Sequence, residues 1–277
     1  MLIHRIIDPQ TGHPAYALKR DGRFFRLDFE PGRAPIEALH AVAHGRESLD
    51  VGAAIAQADG PNPARLLAPV TPSKIICVGL NYRHHAAEMN KQIPPEPLLF
   101  MKPPSAIIGP GEPIELPAQS QLVHHEGELA IVIGARAKNI AAAESQGVIM
   151  GYLCANDITA RDIQRRETRY TRAKGFDTFC PLGPALALAD DFVPQEHILS
   201  CQVDGVERQR SRLNDFIFGI DEVVGFISKI MTLEPGDIIL TGTPAGVGPL
   251  EAGEVVAVEI DGIGRLENPV IHAPPTR

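Results

Sequence analysis

Tryptophan is absent from the 277-residue chain, and aromatic residues make up only 5% of it. A ligand site built here must rely on charge and hydrogen bonds more than on ring stacking. Cysteine is scarce and scattered: Cys77, Cys154, Cys180 and Cys201 include no Cys-x-x-Cys pair. That spacing argues against a zinc knuckle or a disulfide framework, and most of the four lie in apolar stretches that suit ordinary buried thiols. No apolar run is long enough to span a bilayer, and the N-terminus lacks the charged-then-apolar pattern of a signal peptide. The expectation is a soluble, cytoplasmic protein with no membrane partner. There is no basic block either, and the formal net charge is −8, which argues against nucleic acid as the main partner.

What is present is a good core and much punctuation. Hydrophobic residues reach 44%, and glycine and proline number 25 each. Turn-forming residues at that density in a chain with a core predict many short strands. Residues 1–70 read as a small N-terminal α+β domain: a strand over 2–7, a hairpin of 16–18 and 24–27 around Asp21-Gly22, a short helix over 48–58, and a Pro-rich linker from Gly60 to Pro72. Residues 71–277 form the second domain. Its expected strands are 74–78, 98–101, 106–108, 129–133, 151–155, 183–188, 199–203, 237–240 and 255–260. Helices are expected over 81–90, with Asn81 as N-cap, over 158–172 and over 220–231; residues 141–150 suit a turn of helix. Asp261-Gly262 marks a further hairpin. The βαβ spacing of a parallel sheet is missing, so the fold class is mixed α/β, mainly β, with a rolled sheet assembly rather than a doubly wound one.

One stretch poses an electrostatic problem. His124-His125-Glu126-Gly127-Glu128 runs into Leu129–Ile133, a strand apolar on both faces. Strand side chains alternate, so Glu126 and Glu128 share a face while Gly127 turns away. Two like charges held so close are costly unless something lies between them. Asp157 closes the strand 151–155; if the two strands are neighbours, three carboxylates converge. Three hard oxygen donors suit Mg²⁺ or Mn²⁺. Glu-x-Glu alone fits a solvent-facing strand end better; the buried strand behind it is what tips the reading.

Three other stretches could carry chemistry. In Asn81–Glu88, His85 and Glu88 are neighbours at i, i+3, and a carboxylate-oriented His is a usable base near neutral pH; His84 and Glu88 at i, i+4 also fit. Arg161, Gln164 and Lys174 follow the carboxylate-bearing strand and could stabilise an oxyanion. Thr241–Gly248 is a Gly-rich turn after a strand, able to present backbone N–H groups to an anion, though not a P-loop. Each also fits a solvated surface or a tight loop.

Taken together, GLNYRHHAAE (79–88), FMKPPSAIIGPGEPI (100–114), HHEGELAIVIG (124–134), GYLCANDITARDIQ (151–164), KGFDTFCPLGP (174–184) and PGDIILTGTPAGVG (235–248) resemble the fumarylacetoacetate hydrolase family, in order and spacing, from about Lys74 to Asn268. The resemblance implies a mixed β-roll catalytic domain, usually a homodimer. It implies Glu126, Glu128 and Asp157 as metal ligands, His85 and Glu88 as the catalytic dyad, Lys174 as the active-site lysine and Gln164 as an oxyanion partner. Thr243 would hold the substrate carboxylate, with Arg161 beside it. The namesake's additional acidic ligand has no counterpart. The implied substrate is a small 2-oxo acid. The first expectation is metal-dependent C–C cleavage of a 2,4-dioxo acid such as an acylpyruvate, through a pyruvate enolate. The same site could serve a hydroxydienoate isomerase of the 2-hydroxyhepta-2,4-diene-1,7-dioate type or an oxaloacetate decarboxylase. A non-catalytic oxo-acid-binding protein is the remaining alternative.

Overall fold

A computed structural model describes residues 1–58, 63–88, 92–167 and 169–274. The chain is mainly strand, arranged in three sheets. The largest runs in the order Asp50–Gln57, Arg23–Asp28, Pro14–Arg20, Leu2–Ile7, Cys180–Leu188, Ile149–Asn156, Gly127–Ile133, Ile238–Leu240, Ile75–Gly79, Leu98–Lys102. Neighbours along this order are antiparallel except for Ile238–Leu240 on Ile75–Gly79, and off it Ile107–Ile108 pairs parallel with the start of Cys180–Leu188. The N-terminal strands join this sheet directly, because Leu2 and Ile3 pair with Ala187 and Leu186. A five-stranded sheet (Val206–Arg212, Ile198–Val203, Val255–Ile260, Gly264–His272, Ile114–Leu116) packs against it, and a three-stranded ribbon joins Thr159–Ala160, Val123–His125 and Gly248–Pro249.

The strand Gly127–Ile133 sits at the centre and is buried throughout. Leu129, Ile131 and Ile133 face the core shared with the five-stranded sheet; Ala130 and Val132 face a second core with Leu153, Ile75 and Leu39. Burying each large side chain there contributes about 1.5–3 kcal/mol, so register is strongly fixed: a one-residue slip would turn Glu128 into the first core. Beyond the neighbouring parallel pair, Asp237 accepts hydrogen bonds from Ser73 Oγ, the Lys74 N–H and the Glu234 N–H, and pairs with the Lys74 ammonium. That fixes where Ile238–Leu240 starts, and so where the following loop emerges.

Several expected elements appear with small shifts in their ends. The hairpin at Asp21-Gly22 forms, both residues having positive φ (46° and 70°), as a two-residue turn matched to strand twist requires. Three expectations are corrected. The segment expected to be helical over 48–58 is the strand Asp50–Gln57, paired with Arg23–Asp28; the edge of the hairpin offers its backbone a ladder that outweighs the helix propensity of its alanines. The helix of this region is Pro35–Ala43, with proline at N1 and Glu37 in its first turn. Asn81 does not cap the helix Arg83–Glu88; its amide donates to the Phe218 and Thr241 carbonyls and accepts from the Phe218 N–H, tying two loops together. The expected helix over 158–172 is two short ones, Arg161–Arg166 and Thr171–Lys174. Residues 60–62 of the expected linker, 89 and 90 of the expected helix, and 168 lie outside the described residues.

Candidate active site

Gly127–Ile133 and Ile149–Asn156 pair antiparallel, with Gly127 opposite Asn156 and Glu128 opposite Ala155. The register brings Asp157 to the end that Glu126 and Glu128 share. Two bonds lock the corner: the Glu126 N–H donates to Asn156 Oδ1 (2.9 Å) and the Asp157 N–H to the Glu126 carbonyl (2.8 Å). One carboxylate oxygen from each of Glu126, Glu128 and Asp157 lies within 4.8 Å of the other two, and all three residues are buried. Gly127 faces the opposite way, toward Cys201, Gln209 and Val258.

Three buried cations share this corner. Lys174, from the second short helix, reaches Glu126 Oε2 at 3.0 Å, Asp157 Oδ2 at 2.5 Å and Thr159 Oγ1 at 2.8 Å. Every proton of its ammonium thus has an acceptor. Lys102, at the end of an edge strand, donates to Asp157 Oδ1 (2.6 Å) and the Ile158 carbonyl (3.1 Å). Arg161 pairs with Glu126 Oε1 and donates to Gln164 Oε1 at 2.5 Å. Burial works against the charge of the Glu126 carboxyl, but Lys174 and Arg161 outweigh it and hold that group well below the usual carboxylate range. Burial likewise opposes charge on Lys174, and Asp157 and Glu126 overcome it, keeping the ammonium protonated. Glu128 differs. Its carboxylate accepts one hydrogen bond, from the Gly242 N–H at 2.7 Å. Burial first, then the neighbouring Asp157 and Glu126 charges, push its pKa well above the ordinary value.

Among the described residues, Glu128 is the one carboxylate of the three without an ion pair. Three hard oxygen donors in one buried corner, with one short of a counter-charge, fit a divalent cation. A divalent ion would restore the charge of Glu128.

The triad forms one wall of a cavity of about 700 Å³. The nine site residues implied by the resemblance all line it: His85, Glu88, Glu126, Glu128, Asp157, Arg161, Gln164, Lys174 and Thr243. His85 Nδ1 lies 3.2 Å from Glu88 Oε2, and the Gly246 N–H approaches both Glu88 oxygens (3.3 and 3.4 Å). His84 points elsewhere, to Asp215 at 2.8 Å, and is exposed. His124 also lines the cavity; burial and then Arg161 lower its pKa to about 4, so it is neutral. The Thr243 hydroxyl donates to the Gly127 carbonyl (2.8 Å) and accepts from Gln209 Nε2 (2.8 Å). Phe100 lies under Lys174, its ring centroid 4.9 Å from Nζ, and meets Tyr170 edge-on.

The sequence reading missed Lys102. A signal existed: Phe100-Met101-Lys102-Pro103-Pro104 puts a charge at the end of an apolar strand, the same anomaly that exposed Glu126. It also missed Gln209, for which Val206–Arg212 gives no signal at all.

The sequence profile described as fumarylacetoacetate (FAA) hydrolase C-terminal matches residues 74–271. Over 218 residues the chain is 45% identical to the mitochondrial oxaloacetate tautomerase fahd2 of Xenopus laevis, covering 74% of this chain and 68% of that protein. The fold superposes on a 5-carboxymethyl-2-hydroxymuconate delta-isomerase from Mycobacterium smegmatis with a TM-score of 0.83 and 40% identity, covering 99% of this chain and all of the other. A maleylpyruvate hydrolase from Sphingobium sp. SYK-6, solved with manganese(II) and pyruvate, gives 0.80 and 30% over the same shares.

Proposed function

The chain belongs to the fumarylacetoacetate hydrolase family, and from that premise we propose that it is a divalent-metal enzyme that moves a proton at C3 of a small 2-oxo acid, interconverting its keto and enol forms. Glu126, Glu128 and Asp157 would hold Mg²⁺ or Mn²⁺. Such an ion, when bound, supplies Lewis acidity toward the carboxylate and 2-oxo oxygens of the substrate.

The chain's own groups do the rest. With its Nδ1–H given to Glu88, His85 keeps a lone pair on Nε2. Nε2 takes the proton from C3 as the C–H electron pair forms the C2–C3 π bond and the C2=O π pair moves onto the 2-oxo oxygen. Returned to that oxygen, the proton yields the enol; returned to C3, the ketone. Glu88, steadied by the Gly246 N–H, orients the ring and stabilises the imidazolium. Arg161 and Arg165 line the same cavity and suit an anionic substrate.

The observation that carries this reading over C–C cleavage is Lys174. All three of its protons are taken by Glu126, Asp157 and Thr159, so none is spare for an oxyanion developing at C4. Proton transfer needs no such donor. Among solved structures that cover 99% of the chain, the isomerase is also more similar, at 40% identity, than the maleylpyruvate hydrolase, at 30%. Cleavage remains the second reading, favoured by Gln164: its Oε1 is engaged by Arg161, and its amide N–H groups meet no acceptor among the described residues.

The test follows three signals from metal-loaded enzyme: deuterium uptake at C3 of oxaloacetate by NMR, pyruvate release from oxaloacetate, and cleavage of an acylpyruvate. The proposal expects metal-dependent uptake faster than either release. Acylpyruvate cleavage outrunning exchange would transfer the conclusion to hydrolysis, and rapid pyruvate release to decarboxylation.

A further inference from the structure

We infer that Gln209, a residue outside the cavity wall, is the positioning residue that holds the metal-ligand strand and the Gly-rich loop in one fixed relation; the inference rests on the roles proposed for Glu128 and the His85–Glu88 pair.

Gln209 lies on the strand Val206–Arg212 in the five-stranded sheet and is 1% exposed. Its amide bonds in four directions. Oε1 accepts the Gly127 N–H at 3.0 Å and faces His125 Nδ1 at 3.1 Å. Nε2 donates to Thr243 Oγ1 at 2.8 Å and to the Pro244 carbonyl at 2.9 Å. A primary amide has two acceptor and two donor positions, and here all four are used. One end of Gln209 therefore grips the strand between Glu126 and Glu128. The other grips the loop that follows Leu240.

That loop acts on both halves of the site. The Gly242 N–H is the hydrogen-bond donor to Glu128, and the Gly246 N–H is the donor to Glu88. Between those two contacts sit Thr243 and Pro244, the residues Gln209 holds. The loop also rests directly on the Gln209 strand: Gly246 has φ +96°, and a β-carbon there would overlap the Arg208 carbonyl oxygen. Thr243 closes the circuit by donating to the Gly127 carbonyl. Moving Gln209 would loosen the N–H that orients a metal ligand and the N–H that orients the base's partner together. Outer partners of this kind tune metal affinity through the ligands they orient.

The test compares wild type with Gln209→Met, close in size but unable to hydrogen-bond on either side. Mn²⁺ titration calorimetry should show affinity about 10- to 100-fold weaker in the variant. Amide exchange of the peptide 241–247 in metal-free protein should be faster. The pH profile of kcat/KM should shift, a change that lost stability alone does not produce. A folded Gln209→Met with wild-type Mn²⁺ affinity, loop protection and pH profile overturns the inference. Should that variant not fold, Gln209→Glu keeps the acceptor toward Gly127 and loses the donor toward Thr243 and Pro244. Faster loop exchange with weakened Mn²⁺ binding supports the inference there, and wild-type values overturn it. If wild type itself binds no Mn²⁺, the underlying reading of the site has failed instead, a result distinct from either.

Discussion

The N-terminal seventy residues and the active-site corner bury polar groups in opposite ways. His4 and His40 are enclosed in the first region. Burial, joined by Lys19 at His4 and by His44 and Arg46 at His40, lowers each pKa to about 4. These rings survive inside by staying neutral. The buried carboxylate of this region, Asp8, meets one guanidinium, that of Arg26. In the corner most of the charges stay. Glu126 and Asp157 share Lys102, Lys174 and Arg161, and Glu128 has no direct cation among the described residues. The first solution gives stability with a pH limit. The second keeps several desolvated charges in one place, a costly arrangement that suits a divalent ion.

If that contrast is right, the largest loss comes from unbalancing the corner. Lys102→Met should destabilise the metal-free protein by about 3–5 kcal/mol, because it leaves Asp157 buried one partner short. Urea unfolding measures it, and a cost typical of a surface residue would break the comparison. Next comes His85→Asn, expected to lower C3 exchange by about 10²–10⁴-fold while leaving the urea midpoint in place, since His85 belongs to the cavity mouth rather than to the buried ion cluster.

Acid should sharpen the contrast further. For His4 and His40 the folded pKa lies below the unfolded value of 6.5, so the unfolded chain takes up protons first as pH falls. Their contribution to stability is complete above about 6.5 and is lost progressively as pH drops toward 4. Glu126, depressed by its cations, keeps its contribution through that window and loses it only at lower pH. Replacing both histidines with Phe should flatten the loss between those pH values in thermal melts. The smallest effect belongs to the exposed Arg33–Glu47 pair: Glu47→Gln should leave the urea midpoint unchanged.

What the sequence made legible follows range. Glu126, Glu128 and Asp157 could be read because strand alternation and one adjacent pairing were enough to bring them together. His85 and Glu88 lie within a single helical turn, and the Asp21-Gly22 hairpin is a two-residue signal. Other features depend on partners far along the chain. The strand 50–57 reads as helical by its alanines until the hairpin edge is in place beside it. Gln209 gains its meaning from Gly127, 82 residues away, and from Thr243, 34 residues away. Asn81 resembled a cap because capping is a local pattern, whereas its real partners are Phe218 and Thr241. Lys102 lies between these cases: its anomaly was local, but Asp157, the group that answers it, was not.

The central claim is that the three carboxylates hold a divalent ion. Titrating Mn²⁺ into metal-free wild type and into Glu128→Gln, which removes the charge and keeps the shape, tests it directly. Wild type should bind one ion per chain, and the variant should bind it at least about 10-fold more weakly. Equal affinity and stoichiometry in the two proteins would contradict it.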